Sequence, residues 1–199
     1  MKERFRPAFF TLALFCLILF PGPGQVSAGW LQNFEAQNRT DELDDVLRII
    51  NFLEEAVSSW REKGHFQGLV AEFSQEQVSA FFKHLFSEEN PTLKSLRLKL
   101  APGNRVEGWV ILDLASQGLS GDRNLYFAAR VEQQGRRVRL NFSSLFLETQ
   151  RVQPEIVNAL IDLVARVRGL EARHLDDWYD LPEGIARVDT GPGSLLIYY

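Results

Sequence analysis

Residues 92–114, TLKSLRLKLAPGNRVEGWVILDL, switch the hydrophobic period of the chain from helical to two. Leu93, Leu96, Leu98 and Leu100 are interleaved with Lys94, Arg97 and Lys99, and Pro102-Gly103-Asn104 then turns the chain. Val106, Gly108, Val110, Leu112 and Leu114 continue on a second strand, with Trp109 and Ile111 on its other face. The pattern repeats downstream. A loop over 118–122 leads to a third strand carrying Leu125, Phe127, Ala129 and Val131, and Gln134-Gly135 turns it into a fourth from Arg137 to about Glu148. Successive hairpins predict an antiparallel meander rather than a parallel βαβ sheet. Strands two and four carry apolar residues on both faces, so the second face is expected to be partly covered, by a helix or by a bound apolar ligand.

Helical periods flank the meander. Thr40 is a suitable N-cap, with Asp41 and Glu42 in the first turn where the helix dipole favours acids. Leu43, Val46, Leu47, Ile50, Leu53, Val57 and Trp60 then recur at three- and four-residue steps, which predicts a helix over about 41–62 ending near Gly64. A short extended piece around Phe66 to Phe73 follows. Ser74 with Gln77 reads as a capping box and Phe73 with Val78 as a hydrophobic staple, opening a helix over about 75–86 that buries Val78, Phe81, Phe82 and Leu85. Asn90-Pro91 closes that region. After the meander, Pro154 suits the first turn of a third helix. Its apolar stripe is Ile156, Val157, Leu160, Ile161, Val164 and Val167, and Gly169 stands at its C′ position. A closing hairpin runs from Ile185 to Val188 and returns through Gly191-Pro192-Gly193 to Leu195–Tyr198. The expected fold is therefore α+β: a curved antiparallel meander of about six strands packed against two or three helices in a single domain.

The N-terminus reads as an export signal. Lys2, Arg4 and Arg6 precede the apolar run Phe9–Phe20, and Val26-Ser27-Ala28 supplies small residues for cleavage before Gly29. The run is shorter than the roughly 20 residues a spanning helix needs, so cleavage near Ala28 is preferred over an uncleaved, membrane-tethering signal anchor. The expected divisions are a signal peptide over 1–28, a lead-in segment over 29–39 and one domain over 40–199. Cys16 is the sole cysteine, and its place after Phe15 within the apolar run is wrong for lipidation. Cleavage would leave a thiol-free chain, without disulfides, thiolate metal sites or a cysteine nucleophile. The leader carries three positive charges against Glu3, so its removal takes the net charge from −4 to −6. An acidic average argues against nucleic-acid partners and against anionic membrane surfaces.

No catalytic signature stands out. His65, His84 and His174 have no second ligand at helical spacing, so no metal site or cofactor is expected. His174 lies near Asp176, Asp177 and Asp180, where an acidic hydrolytic or cation site is the minor alternative to a solvated loop. Gly118-Leu119-Ser120-Gly121 lacks the spacing of a nucleophile elbow. The arginines around 136–139 and 166–173 read as a hairpin tip and a helix end. The chain is therefore expected not to be an enzyme.

The phrase order FSQEQVSAFF, TLKSLRLKLAPGNRVEGWVILDL, YFAARVEQQGRRVRLNFSSLFLETQRVQPEIVNALIDLV and LPEGIARVDTGPGSLLIYY resembles the small bacterial envelope proteins of the tubular lipid-binding (TULIP-like) type. The resemblance spans about residues 66–199. It implies an apolar groove between sheet and helices that holds acyl chains, with Phe81, Phe82, Trp109, Phe127, Phe146, Val157, Leu160, Ile161 and Val164 as its lining. It implies a periplasmic or secreted, non-enzymatic lipid-binding protein whose partner is a lipid or other apolar ligand. The long helix at 41–62 departs from that family pattern. The alternative from another class is a structural or adaptor domain that binds a second envelope protein through an apolar surface strip.

Overall fold

The computed structural model describes residues 32–89, 93–113, 121–169 and 171–199; residues 1–28, read above as a signal peptide, the 118–120 part of the glycine loop and Asn90-Pro91 lie outside them. In chain order the elements are α1 (Gln32–Lys63), β1 (Val70–Ser74), α2 (Gln75–Glu89), β2 (Leu93–Ala101), β3 (Arg105–Asp113), β4 (Asp122–Gln134), β5 (Arg137–Leu147), β6 (Gln150–Arg151), α3 (Pro154–Arg168), β7 (Tyr179–Asp180), β8 (Arg187–Gly191) and β9 (Ser194–Tyr198).

The meander forms as its alternation demands. A six-stranded antiparallel sheet has the order β2-β3-β4-β5-β6, with β7 pairing β5. Asn104, at φ 60°, and Gly103, at φ 79°, make the left-handed turn between β2 and β3. The sixth strand's worth of pairing comes from the two-residue pieces β6 and β7, not from the closing hairpin. That hairpin leaves the meander and takes β1 as its partner, giving a separate three-stranded sheet of order β1-β9-β8. The extended piece before Ser74 supplies the pairing edge that draws the C-terminal strand away.

The capping box at the start of α2 closes as the residues require: the Ser74 amide donates to Gln77 Oε1 at 3.0 Å, and the Gln77 amide donates to Ser74 Oγ at 3.3 Å. Pro154 opens α3 and Gly169, at φ 66°, ends it in the left-handed conformation. Helix α1 differs from expectation at both its start and its face. It begins at Gln32, with Thr40 inside it rather than capping it, because QNFEAQNR contains neither glycine nor proline to halt helix upstream. Among its described side chains the buried ones are Val46, Ile49 and Ala56, while Leu43 and Leu47 stay 50% and 43% exposed. The apolar set is wider than one stripe, and only part of it turns inward.

Two strand edges are closed by side chains. On β2, the amides of Leu98 and Leu100 donate to Ser79 Oγ (2.8 Å) and Gln75 Oε1 (3.2 Å) of α2, and the Leu100 carbonyl accepts from Gly193. On β8, Asn104 Oδ1 accepts the Thr190 amide at 2.9 Å. Gln133 accepts the Val188 amide at 3.2 Å and donates to the Ala186 carbonyl at 2.8 Å. An unpaired edge is a pairing hazard, and these bonds remove it while joining the two sheets. Helices α1 and α2 are tied by Lys83–Glu42 (2.7 Å) and by Gln77 donating to Asp45 (3.0 Å).

One buried apolar cluster runs through the molecule, with Ile49 and Ala56 from α1, Val78 and Phe86 from α2, Leu112, Phe127 and Leu145 from the meander, Val157 and Ile161 from α3, and Ile197 from the closing hairpin.

Candidate functional site

The inner residues of the meander strands face an apolar cavity of about 300 Å³. Leu96, Leu98 and Leu100 of β2, Val106 of β3, Phe127 and Val131 of β4, and Val138 and Leu140 of β5 form its sheet wall. Ile49 and Leu53 of α1 and Val78, Phe81, Phe82 and Phe86 of α2 lie across from them. Side chains in a strand alternate between faces, so a run such as Leu96, Leu98 and Leu100 is delivered to one wall by period alone.

The floor depends on a glycine. Gly108 pairs with Phe127 across β3 and β4, and a Cβ on Gly108 would stand inside the van der Waals envelope of the Phe127 ring. The missing side chain lets that ring lie over the neighbouring backbone, where it also meets Phe142 edge-on at 5.8 Å.

A strap over residues 174–182 completes the wall with Leu175, Tyr179, Leu181 and Pro182. It is latched at both ends. His174 Nε2 stands 3.0 Å from Asp162 Oδ1 on α3, and its amide donates to Asp177 Oδ2 at 2.7 Å. Asn158 of α3 accepts the Leu175 amide at 3.0 Å and donates to Asp176 at 2.9 Å. At the other end the Arg136 guanidinium donates to the carbonyls of Leu181 (3.1 Å) and Pro182 (3.0 Å). The bond to Asp162 holds the His174 imidazole above the ordinary histidine range; burial opposes this, and the Asp177 and Asp176 charges reinforce it.

Polar groups reach the cavity chiefly at the strap. Arg139 is among its lining residues with Tyr179 and Asp180. The Arg139 guanidinium pairs with Glu132 at 2.7 Å and lies 4.7 Å from the centre of the Trp178 ring. Glu132 is held below the usual carboxylate range, first by the Asn141 amide and then by Arg139.

The residues carried over from the resemblance divide into four groups. Phe81, Phe82 and Phe127 line the cavity. Trp109 and Phe146 do not: they lie on the opposite face of the sheet, where Trp109 is 42% exposed. Strand alternation puts them there, because Val110 and Leu145, their chain neighbours, take the inner positions. Val157 and Ile161 of α3 are fully buried in the core but are not among the cavity's lining residues. The side chains of Leu160 and Val164 lie outside the described residues. Sequence reasoning missed Ile49, Leu53, Leu175, Tyr179 and Arg139. Ile49 and Leu53 were legible as a three- and four-residue series with Val46 and Ala56; nothing local marks the strap residues.

Among the described residues no group of three or more His, Cys, Asp or Glu side chains is placed to hold a metal ion. No described helix is long and apolar enough to cross a membrane. Fold and cavity together define an α+β chain with an apolar interior chamber bounded by a curled antiparallel sheet, helical residues and a latched strap. No protein-family model and no curated protein sequence matches the chain.

Proposed function

We propose that this is an exported, non-enzymatic lipid-binding protein of the bacterial envelope, related in architecture to the tubular lipid-binding proteins it resembles. The observation that carries the reading is the apolar cavity of about 300 Å³. Protein interiors are close-packed, and voids larger than a water molecule are few. This one has the room of about ten water molecules at about 30 Å³ each, and falls at the lower end of ordinary ligand pockets. A chamber walled by leucine, valine and phenylalanine gives water few hydrogen bonds, so an acyl chain or a ligand of similar bulk is its natural occupant. In this reading α1 and α2 lie against the curled sheet and close the chamber. The ligand's polar end sits at the strap, where Tyr179 and Asp180 supply the polar edge. Export by a cleaved signal places the protein in the periplasm or outside the cell, and an uncleaved anchor would tether it to the membrane facing the same side.

The test is native mass spectrometry of protein purified without detergent, for the wild type and for Leu140→Trp. Leu140 lines the chamber and is only partly buried, so a larger side chain there has space to enter. The wild type should carry copurifying fatty acid or phospholipid; the tryptophan variant should be cargo-free yet melt at or above the wild-type temperature. A filled core would react oppositely, since overpacking costs about 1–3 kcal/mol. Wild type at the apo mass, with no uptake from added lipid, would sink the proposal and bring forward the adaptor role.

A further inference from the structure

The outer face of the meander carries a second arrangement, separate from the chamber. Directly paired positions run across five strands as Arg97–Trp109–Tyr126–Phe146–Arg151. The ring centres are 5.2 Å apart for Trp109 and Tyr126 and 6.2 Å for Tyr126 and Phe146. The row spans four strand spacings, about 19 Å at about 4.8 Å each. Further along the same face Arg105 pairs with Arg130.

Charge on this face is unbalanced, although the chain as a whole is acidic. Its carboxylates are already engaged: Glu107 with Lys99 (3.7 Å), Glu132 with Arg139 (2.7 Å), Glu148 with the amide groups of Asn124 (2.9 and 3.4 Å), and, past the other end of the row from Arg105, the paired Asp113 and Asp122 with Lys94, which lies 2.7 Å from Asp122. Arg97 and Arg130 have no hydrogen bond or ion pair among the described residues. Among the described residues Arg105 and Arg151 bond only to the carbonyls of Pro102 and Ser143. Four guanidinium groups thus stand on the face of the aromatic row without a salt bridge to a carboxylate among the described residues, Arg130 acting on Glu132 only at longer range.

We propose that this outer face docks on an anionic lipid bilayer surface, with Trp109 and its row at the headgroup level and the four arginines on the lipid phosphates. Tryptophan and tyrosine favour the membrane–water interface because one end of the ring system is apolar and the other polar. Guanidinium groups bind phosphate in a bidentate fork. The row is too long for one small ligand, and its rings are tilted by 52° and 45° to one another, so they offer no flat stacking surface to a run of sugar rings. A surface of repeated anionic groups fits both its length and its charge. The net negative charge predicts repulsion only if charge is spread evenly, and the fold does not spread it evenly. This docking does not depend on the chamber holding lipid.

The experiment is cosedimentation of the purified full chain with vesicles of phosphatidylcholine and phosphatidylglycerol in equal parts, against phosphatidylcholine alone. The mixed vesicles should carry the protein down and the neutral ones should not. Arg97→Ser and Arg151→Ser should each weaken binding about fivefold, the worth of one basic side chain at an anionic surface. Trp109→Ala should weaken it further. The three side chains lie on the outer face, Arg97 and Trp109 well exposed, so unchanged circular dichroism and melting would show an intact fold. Three results would overturn the proposal: no sedimentation with the anionic vesicles, sedimentation unaffected in the triple variant, or retention on an isolated polysaccharide matrix instead of vesicles, released by the same substitutions. Leu140→Trp, which blocks the chamber, should leave vesicle binding unchanged, so the two readings fail separately.

Discussion

Gly108 is the residue on which the chamber floor turns. In the sequence it is an unremarkable break in a valine and leucine run; in the fold it is the space that the Phe127 ring occupies. Gly108→Ala should destabilise the protein by about 1–3 kcal/mol in urea unfolding, because the ring must move out of its place. Pairing it with Phe127→Leu should recover part of the loss, a coupling that distant sites would not show. His174 is the second such residue, latching the strap to Asp162. Its folded-state value is raised above the ordinary one near 6.5, so its stabilisation is complete below that value and is lost as pH rises through the raised one. Asp162 on α3 and Asp176 and Asp177 on the strap are the charges acting on it. The melting-temperature advantage of wild type over His174→Gln should therefore be largest in mildly acidic buffer and shrink toward mildly alkaline pH. An advantage that grows with pH would rule the latch out.

At the scale of elements, edge closure matters more than strand propensity. The meander ends at β2 and the small sheet at β8, and side-chain amides and hydroxyls satisfy both edges. Gln133 serves two backbone groups of the Ala186–Val188 stretch, so Gln133→Leu leaves an amide and a carbonyl unpaired. The expected cost is about 1–3 kcal/mol, together with faster hydrogen exchange at the Val188 amide. Exchange unchanged at that amide would mean that Gln133 does not hold the edge. The four long meander strands, the capping box at Ser74 and the glycine stop at Gly169 were legible in the sequence because period, caps and left-handed positions are local. The partner of the closing hairpin was not. Leu195 to Tyr198 read equally well as a further meander strand, and only the free edge of β1, more than 100 residues earlier in the chain, draws it elsewhere.

At the scale of the molecule, the sheet separates two chemistries that the composition averages together. One face bounds an apolar chamber; the other carries aromatic rings and unpaired arginines. Period two made the division readable, since Val110 and Trp109 must point apart. The resemblance nevertheless gathered Phe127 with Trp109 and Phe146 in a single groove, and the fold places them on opposite faces. The cargo and vesicle experiments address one face each, and a protein that passes both would hold an acyl chain while resting on the membrane that supplies it.

The sequence by itself determined the α+β class, the hairpin succession, the start of α2, the start and stop of α3, and which strand positions share a face. These follow from hydrogen-bond geometry and side-chain spacing over a few residues. Only the tertiary structure decided that the final hairpin pairs with β1, that Leu43 and Leu47 stay outside while Ile49 and Leu53 meet the chamber, and that the strap supplies part of its wall. Those outcomes depend on which distant surfaces meet. The apolar residues required to fill a core are also those that line a cavity, so the choice between them lies in the closure of the whole chain.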